Sequence, residues 1–189
     1  MPTYMPILFV APSPESETLG GPLLGLIQNI RADEIRPILK KHGLDAIEAD
    51  KWYPLQSVLN VFRDIIESRE NVNEELVAIA VKTVDTAALP PEINSVEGAL
   101  GFIGQLVKST NRYVPDDYGI FVDINSPHYA LVTNNTPLPE TPIFGYLWGL
   151  INRFKAPDQI FSVKALPTEP GSPVVFSVRW GLPDELEEN

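Results

Sequence analysis

The chain has no cysteine at all among its 189 residues and only two histidines, His42 and His128. The first absence excludes disulfides, thiolate metal sites and a cysteine nucleophile. The second leaves any zinc site dependent on carboxylates, so neither a metal nor a cofactor is expected. Basic residues are also scarce, 14 Lys and Arg against 25 Asp and Glu, for a net charge of −11. Such a surface repels phosphate backbones and anionic lipid unless a local basic patch intervenes, and Lys40-Lys41 is the only adjacent basic pair. Nucleic acid and membrane surfaces are therefore not expected partners. No stretch approaches the roughly 20 apolar residues of a membrane span. The apolar Ile7–Val10 patch is too short, and lacks the charged flank, for a signal peptide, so a cytoplasmic location is expected.

What is present is ordinary for a globular chain: 44% hydrophobic and 21% charged residues, enough length for one domain with a real core. The 19 prolines sit between candidate elements rather than in one run. Residues 11–25 (APSPESETLGGPLLG) read as an extended arm or loop. A short helix follows, with Asp33 as cap, Ile35, Ile38 and Leu39 on its inner face, and Gly43 as its stop. From Pro54 to Arg69, Leu55, Val58, Leu59, Phe62, Ile65 and Ile66 form one continuous helical stripe. Asn73–Thr86 repeats the pattern with Asn73 as cap. A further helix begins at Asn94, with Glu97 placed for a capping box and Val96, Leu100, Ile103 and Val107 inward. Its glycines Gly98, Gly101 and Gly104 recur every third residue, each costing about 1 kcal/mol of helix propensity. That flank predicts either close packing of another backbone or a ligand-binding surface.

After Pro115 the periodicity changes from helical to alternating. Tyr118–Asn125 and Tyr129–Thr133 read as a hairpin. Thr141-Pro142 opens a helix to about Phe154, with Ile143, Leu147, Leu150, Ile151 and Phe154 inward. Gln159–Leu166 and Val174–Trp180, joined through Pro170-Gly171, make a second hairpin. The acidic end, 183–189, is expected to fray. The expected fold class is α+β: N-terminal helices packed on a four-stranded antiparallel sheet of two hairpins separated by a helix, all in a single domain over residues 1–189. No second core is visible in the pattern.

The order of elements, with YGIFVDIN, TPLPETPIFGYLWGLINRF and PVVFSVRW, resembles one superfamily over roughly residues 50–181. It joins haem-nitric-oxide-binding domains, 4-vinyl-reductase domains and TRAPP transport-complex subunits. The resemblance implies a sensory or assembly role. The haem-binding members use a helical His and a Tyr-x-Ser-x-Arg motif, where the last strand here offers Val175, Ser177 and Arg179. The vinyl-reductase members carry loop cysteines that this chain lacks.

No catalytic residue is assigned. Ser126, His128 and Asp123 crowd into one turn, which is not the geometry of a nucleophile and its base, and no nucleophile elbow is present. The adjacent carboxylates Asp116-Asp117 and Glu74-Glu75 are poorly spaced for paired acid–base work. Gly20-Gly21 lacks the Lys-Ser/Thr of a phosphate-binding loop. Tyr146 and Trp148 fall off the core stripe of their helix and are expected to be covered, at an interface with a second copy of the chain or another protein, or by the chain's own N-terminal arm. The reading is a non-enzymatic domain that binds a small apolar ligand or assembles as a homodimer. The alternative is a small hydrolase or isomerase.

Overall fold

In the computed structural model, the described residues are 4–30, 32–68, 72–169 and 171–187. Among these residues, seven helices and two antiparallel sheets follow in the order β1 (Glu17–Leu19), α1 (Gly20–Ile27), α2 (Ala32–Lys41), β2 (Trp52–Pro54), α3 (Leu55–Glu67), α4 (Val72–Thr86), α5 (Val96–Ser109), β3 (Asn111–Arg112), β4 (Gly119–Ser126), β5 (Tyr129–Asn135), α6 (Glu140–Phe154), β6 (Ile160–Leu166), β7 (Val174–Gly181) and α7 (Pro183–Glu187). The larger sheet has the order β4-β5-β7-β6, so the two expected hairpins lie side by side with β5 against β7.

The second half follows from its alternation. Ile120, Ala130, Val132, Phe176, Val178 and Trp180 point to one face and are buried there by the inner stripes of α5 and α6. Pro127-His128 forms the two-residue turn of the first hairpin, with Ser126 paired to Tyr129 and His128 at φ 65°.

The N-terminal half departs from expectation. Helices α1, α2, α3 and α4 bury Leu23, Leu26, Ile35, Leu39, Val58, Phe62, Ile65 and Leu76 against one another in a second core. One amphipathic helix needs only one apolar partner, and here the short helices satisfy each other. Residues 11–25 are not simply an arm, because β1 pairs with both β2 and β3 in a small sheet. Gly20 permits this: a Cβ there would lie 2.1 Å from the Glu48 carbonyl oxygen. Arg112 closes the small sheet, its guanidinium 4.3 Å over the Trp52 ring and its Nε 2.5 Å from Glu17.

Several caps shift. Ser95 rather than Asn94 caps α5, its hydroxyl accepting from the Gly98 amide at 3.1 Å. Asn73 lies inside α4 and accepts instead from the Thr141 hydroxyl at 3.3 Å. Asp33 likewise lies inside α2, while Gly43 takes the expected left-handed φ of 71°. Pro139, with no side-chain cap, precedes α6. The acidic end turns once as α7 because Glu185 accepts from the Leu182 amide at 2.7 Å. Pro170 and residues 188–189 lie outside the described residues.

The most extensive helix–helix contact among the described residues is between α4 and α6, and it rests on glycines that the hydrophobic stripes pass over. A Cβ on Gly145 would stand 2.7 Å from the Ala80 Cβ and 2.8 Å from the Val77 carbonyl oxygen. One turn on, a Cβ on Gly149 would meet Val84 and Val81 at 3.1–3.2 Å. Arg153 locks the far end, donating to the Val84 carbonyl in the last turn of α4 and to the Ala87 carbonyl just beyond it. By contrast, the α5 flank is divided. Gly98 and Gly101 are exposed, and Gly101 has open space around it, whereas a Cβ on Gly104 would meet the Ile120 carbonyl oxygen at 2.8 Å. Close packing explains one of those three glycines.

Candidate functional site

Between the helical core and the sheet core runs a seam with a small cluster of its own. Leu55 and Leu59 of α3 meet Tyr118 there, flanked by Tyr4, Phe9, Val107, Val114 and Leu138. Leu138 touches all three clusters, and Tyr146 of α6 touches the two larger ones. Tyr146 is therefore covered inside the chain by the N-terminal helices, which lie where the stripe analysis left a second face of α6 without a neighbour. Burial pushes its hydroxyl up to about 12. Trp148 does remain outside, 36% exposed, with its ring edge-on to Phe161 at 5.2 Å. It flanks an open depression of about 390 Å³ with Phe144, Val77 and Val81.

The seam also buries polar groups. Asn134, Asn135 and Thr136, at the end of β5, are 1–4% exposed. Thr136 donates to the Asn134 side chain at 2.7 Å, and Asn134 donates to the Leu138 carbonyl at 3.3 Å. Asn135 donates to the Asp117 carbonyl at 2.5 Å, and the Asp117 carboxylate accepts from the Tyr4 amide at 2.9 Å. Among the described residues, the Asn135 side-chain oxygen and the Tyr4 hydroxyl are buried here without a hydrogen-bond partner. An orphaned buried polar atom costs about 1–3 kcal/mol. Burial, with the Asp117 charge nearby, raises the Tyr4 hydroxyl to about 12, and burial raises Tyr118 as well. Three consecutive polar residues closing an otherwise apolar strand were the available sequence signal; that stretch reads as an ordinary exit turn.

The two histidines stand away from this seam. His42, at the end of α2, places Nε2 2.8 Å from Asp64, which Lys41 also meets at 2.6 Å. These hydrogen bonds, the Lys41 one first, hold Asp64 below the ordinary carboxylate range. Their contribution to stability is present above that range and is lost as pH falls below it, through the lowered pKa of Asp64. His128 places Nδ1 3.2 Å from Glu185, with its ring edge-on to Trp180. Its partner is thus the acidic end and not the neighbouring Asp123. Among the described residues no group of three or more His, Asp or Glu could hold a metal, and no helix is long and apolar enough to cross a membrane.

No family model and no curated protein sequence matches the chain. The fold, however, is that of solved H-NOX domains. An H-NOX protein from S. oneidensis, in its Fe(II)NO ligation state, superposes with a TM-score of 0.62 at 11% identity, covering 86% of this chain and 99% of its own. An oxygen-binding H-NOX domain related to soluble guanylate cyclases gives 0.60 at 14% identity, covering 87% and 92%. A third, from work on haem distortion in the H-NOX family, gives 0.61 at 14%, covering 87% and 95%. At these identities the likeness is one of fold.

A haem is the group that this fold implies, and the donor set here does not fit one held by histidine. Both imidazoles are engaged at the periphery, with Asp64 and Glu185. The α5 helix carries no His. Val175, Ser177 and Arg179 alternate with the buried Phe176, Val178 and Trp180, so they face away from the helices. There Arg179 lies 5.3 Å over the Tyr129 ring.

Proposed function

We propose that this is a non-enzymatic, sensory-type binding domain that takes a small ligand at the seam between its two cores, in place of a histidine-held haem. The observation that carries the reading is the pair of orphaned polar atoms, the Asn135 side-chain oxygen and the Tyr4 hydroxyl, in an otherwise apolar layer of Leu55, Leu59, Tyr118 and Leu138. An amide oxygen asks for a donor, so the ligand class is a small, mainly apolar molecule carrying a hydroxyl or amine. Its binding would bear on both cores at once through Leu138, which is the coupling a sensor requires. Of the expected ligand surface at Gly98, Gly101 and Gly104, only Gly98 and Gly101 are open, because the Ile120 carbonyl fills the space beside Gly104, so that flank is not the site proposed here. Of the two expected interface residues, Trp148 is the exposed one.

Native mass spectrometry of the full chain tests the reading. The expected spectrum carries a non-covalent adduct on the 20.9 kDa chain, released on denaturation. Tyr4→Phe and Asn135→Ala should lower its occupancy by about tenfold, the worth of one lost buried hydrogen bond. A bare chain from cell extract would contradict the proposal, and so would a Tyr4→Phe variant that is merely more stable with its adduct unchanged.

A further inference from the structure

The four-stranded sheet has one face covered by α5 and α6 and one open face. Alternation sends Phe121, Asp123, Leu131, Thr133, Val175, Ser177, Lys164 and Leu166 to the open side. The register lines them up in rows across the sheet. One row runs Phe121, Thr133, Val175, Leu166, and the next runs Asp123, Leu131, Ser177, Lys164. Among the described helices, only α7 approaches this side, at the end of β7 where Glu185 nears Gly181. Phe121 is 47% exposed and Leu166 is 37% exposed, one on each edge strand of the same row.

We infer that this open face is an interface between two copies of the chain, related by a two-fold axis parallel to the strands and lying between β5 and β7. Such an axis exchanges edges, setting β4 of one copy over β6 of the other while keeping each row at its own height. Phe121 then meets Leu166 twice, and Asp123 meets Lys164 twice. A self-complementary surface of this kind is what an isologous dimer needs. Two sheets packed face to face in this way keep their strands within about 30° of each other, so the rows stay in register. The charge balance agrees. On a chain of net charge −11, the second row carries an acid on one edge and a base on the other, Asp123 and Lys164, so the two-fold brings opposite charges together. Four strands about 4.8 Å apart and seven residues long give a footprint on the order of 400 Å² per copy. That places the pair at or below the ~1,200 Å² total typical of weak, transient assemblies, so the dimer forms at high micromolar concentration.

Sedimentation velocity on the full chain, from about 10 to 500 µM, tests the inference. The wild type is expected to move from one chain mass towards two. Asp123→Lys and Lys164→Asp should each weaken the association by at least about tenfold, since each places two like-charge pairs across the axis. The double swap, Asp123→Lys with Lys164→Asp, should restore it. Circular dichroism checks that each variant keeps the fold, and Phe121→Ser provides a second, uncharged disruption. Trp148→Ala should leave the association unchanged. A wild type that stays monomeric throughout overturns the inference. So does a dimer indifferent to these substitutions, one that the double swap fails to restore, or one lost through Trp148→Ala alone, which would move the interface to α6.

Discussion

Replacing Gly145 by alanine, the smallest change available, is expected to destabilise the protein by about 3 kcal/mol or more. The added carbon would stand 2.7 Å from the Ala80 Cβ and 2.8 Å from the Val77 carbonyl oxygen, and neither can step aside without moving α4 itself. Against this, alanine recovers only about 1 kcal/mol of helix propensity. Gly149→Ala, with its nearest contacts at 3.1–3.2 Å, should cost less, about 1 kcal/mol. Gly101→Ala, in open space, should stabilise by about 1 kcal/mol for propensity alone. Urea denaturation of the three variants gives the order directly. A Gly145→Ala protein as stable as wild type would mean that α4 and α6 are farther apart than described.

Phe176→Ala should cost about 3–5 kcal/mol, the usual toll for emptying a buried aromatic site. Phe176 is fully buried at the centre of the sheet core, between Val132 on β5 and Ala165 on β6. The loss should lower one transition seen alike by far-UV circular dichroism and by tryptophan fluorescence. That outcome expresses the single-domain reading: the two cores share Leu138 and Tyr146, and α6 packs on both α4 and the sheet. Two separated transitions in the variant, with the helical half surviving, would instead make the halves independent units.

The elements that were legible in the sequence are those whose burial is one-sided and periodic. The stripe Leu55, Val58, Leu59, Phe62, Ile65 marks α3, and the alternation of Val174–Trp180 marks β7, because one face of each meets a core and the other meets water. The small sheet was not legible. Its strands are two or three residues long, and a backbone pairing between positions about 35 and 93 residues apart leaves no local pattern. Nor was the α4–α6 contact, since Gly145 and Gly149 register in a hydrophobic stripe as gaps although they set the distance between the helices. The cover over Tyr146 was hidden for a related reason. A stripe analysis assumes one partner per helix, while α6 has two, the sheet on one side and the N-terminal helices on the other. The seam was hidden because Tyr4, Asp117 and Asn135 come together only through the fold, Tyr4 lying 113 residues from Asp117, and Asp117 a further 18 from Asn135.

The central claim is that an H-NOX fold here binds its ligand without a histidine-held haem, and absorption spectroscopy during hemin titration tests it most directly. The full chain, produced with haem supplied and then titrated with hemin, is expected to show only the broad absorbance of free and loosely adsorbed hemin, unaltered by His42→Ala or His128→Ala. A sharp Soret band that saturates at one equivalent and is lost with either histidine would contradict the claim.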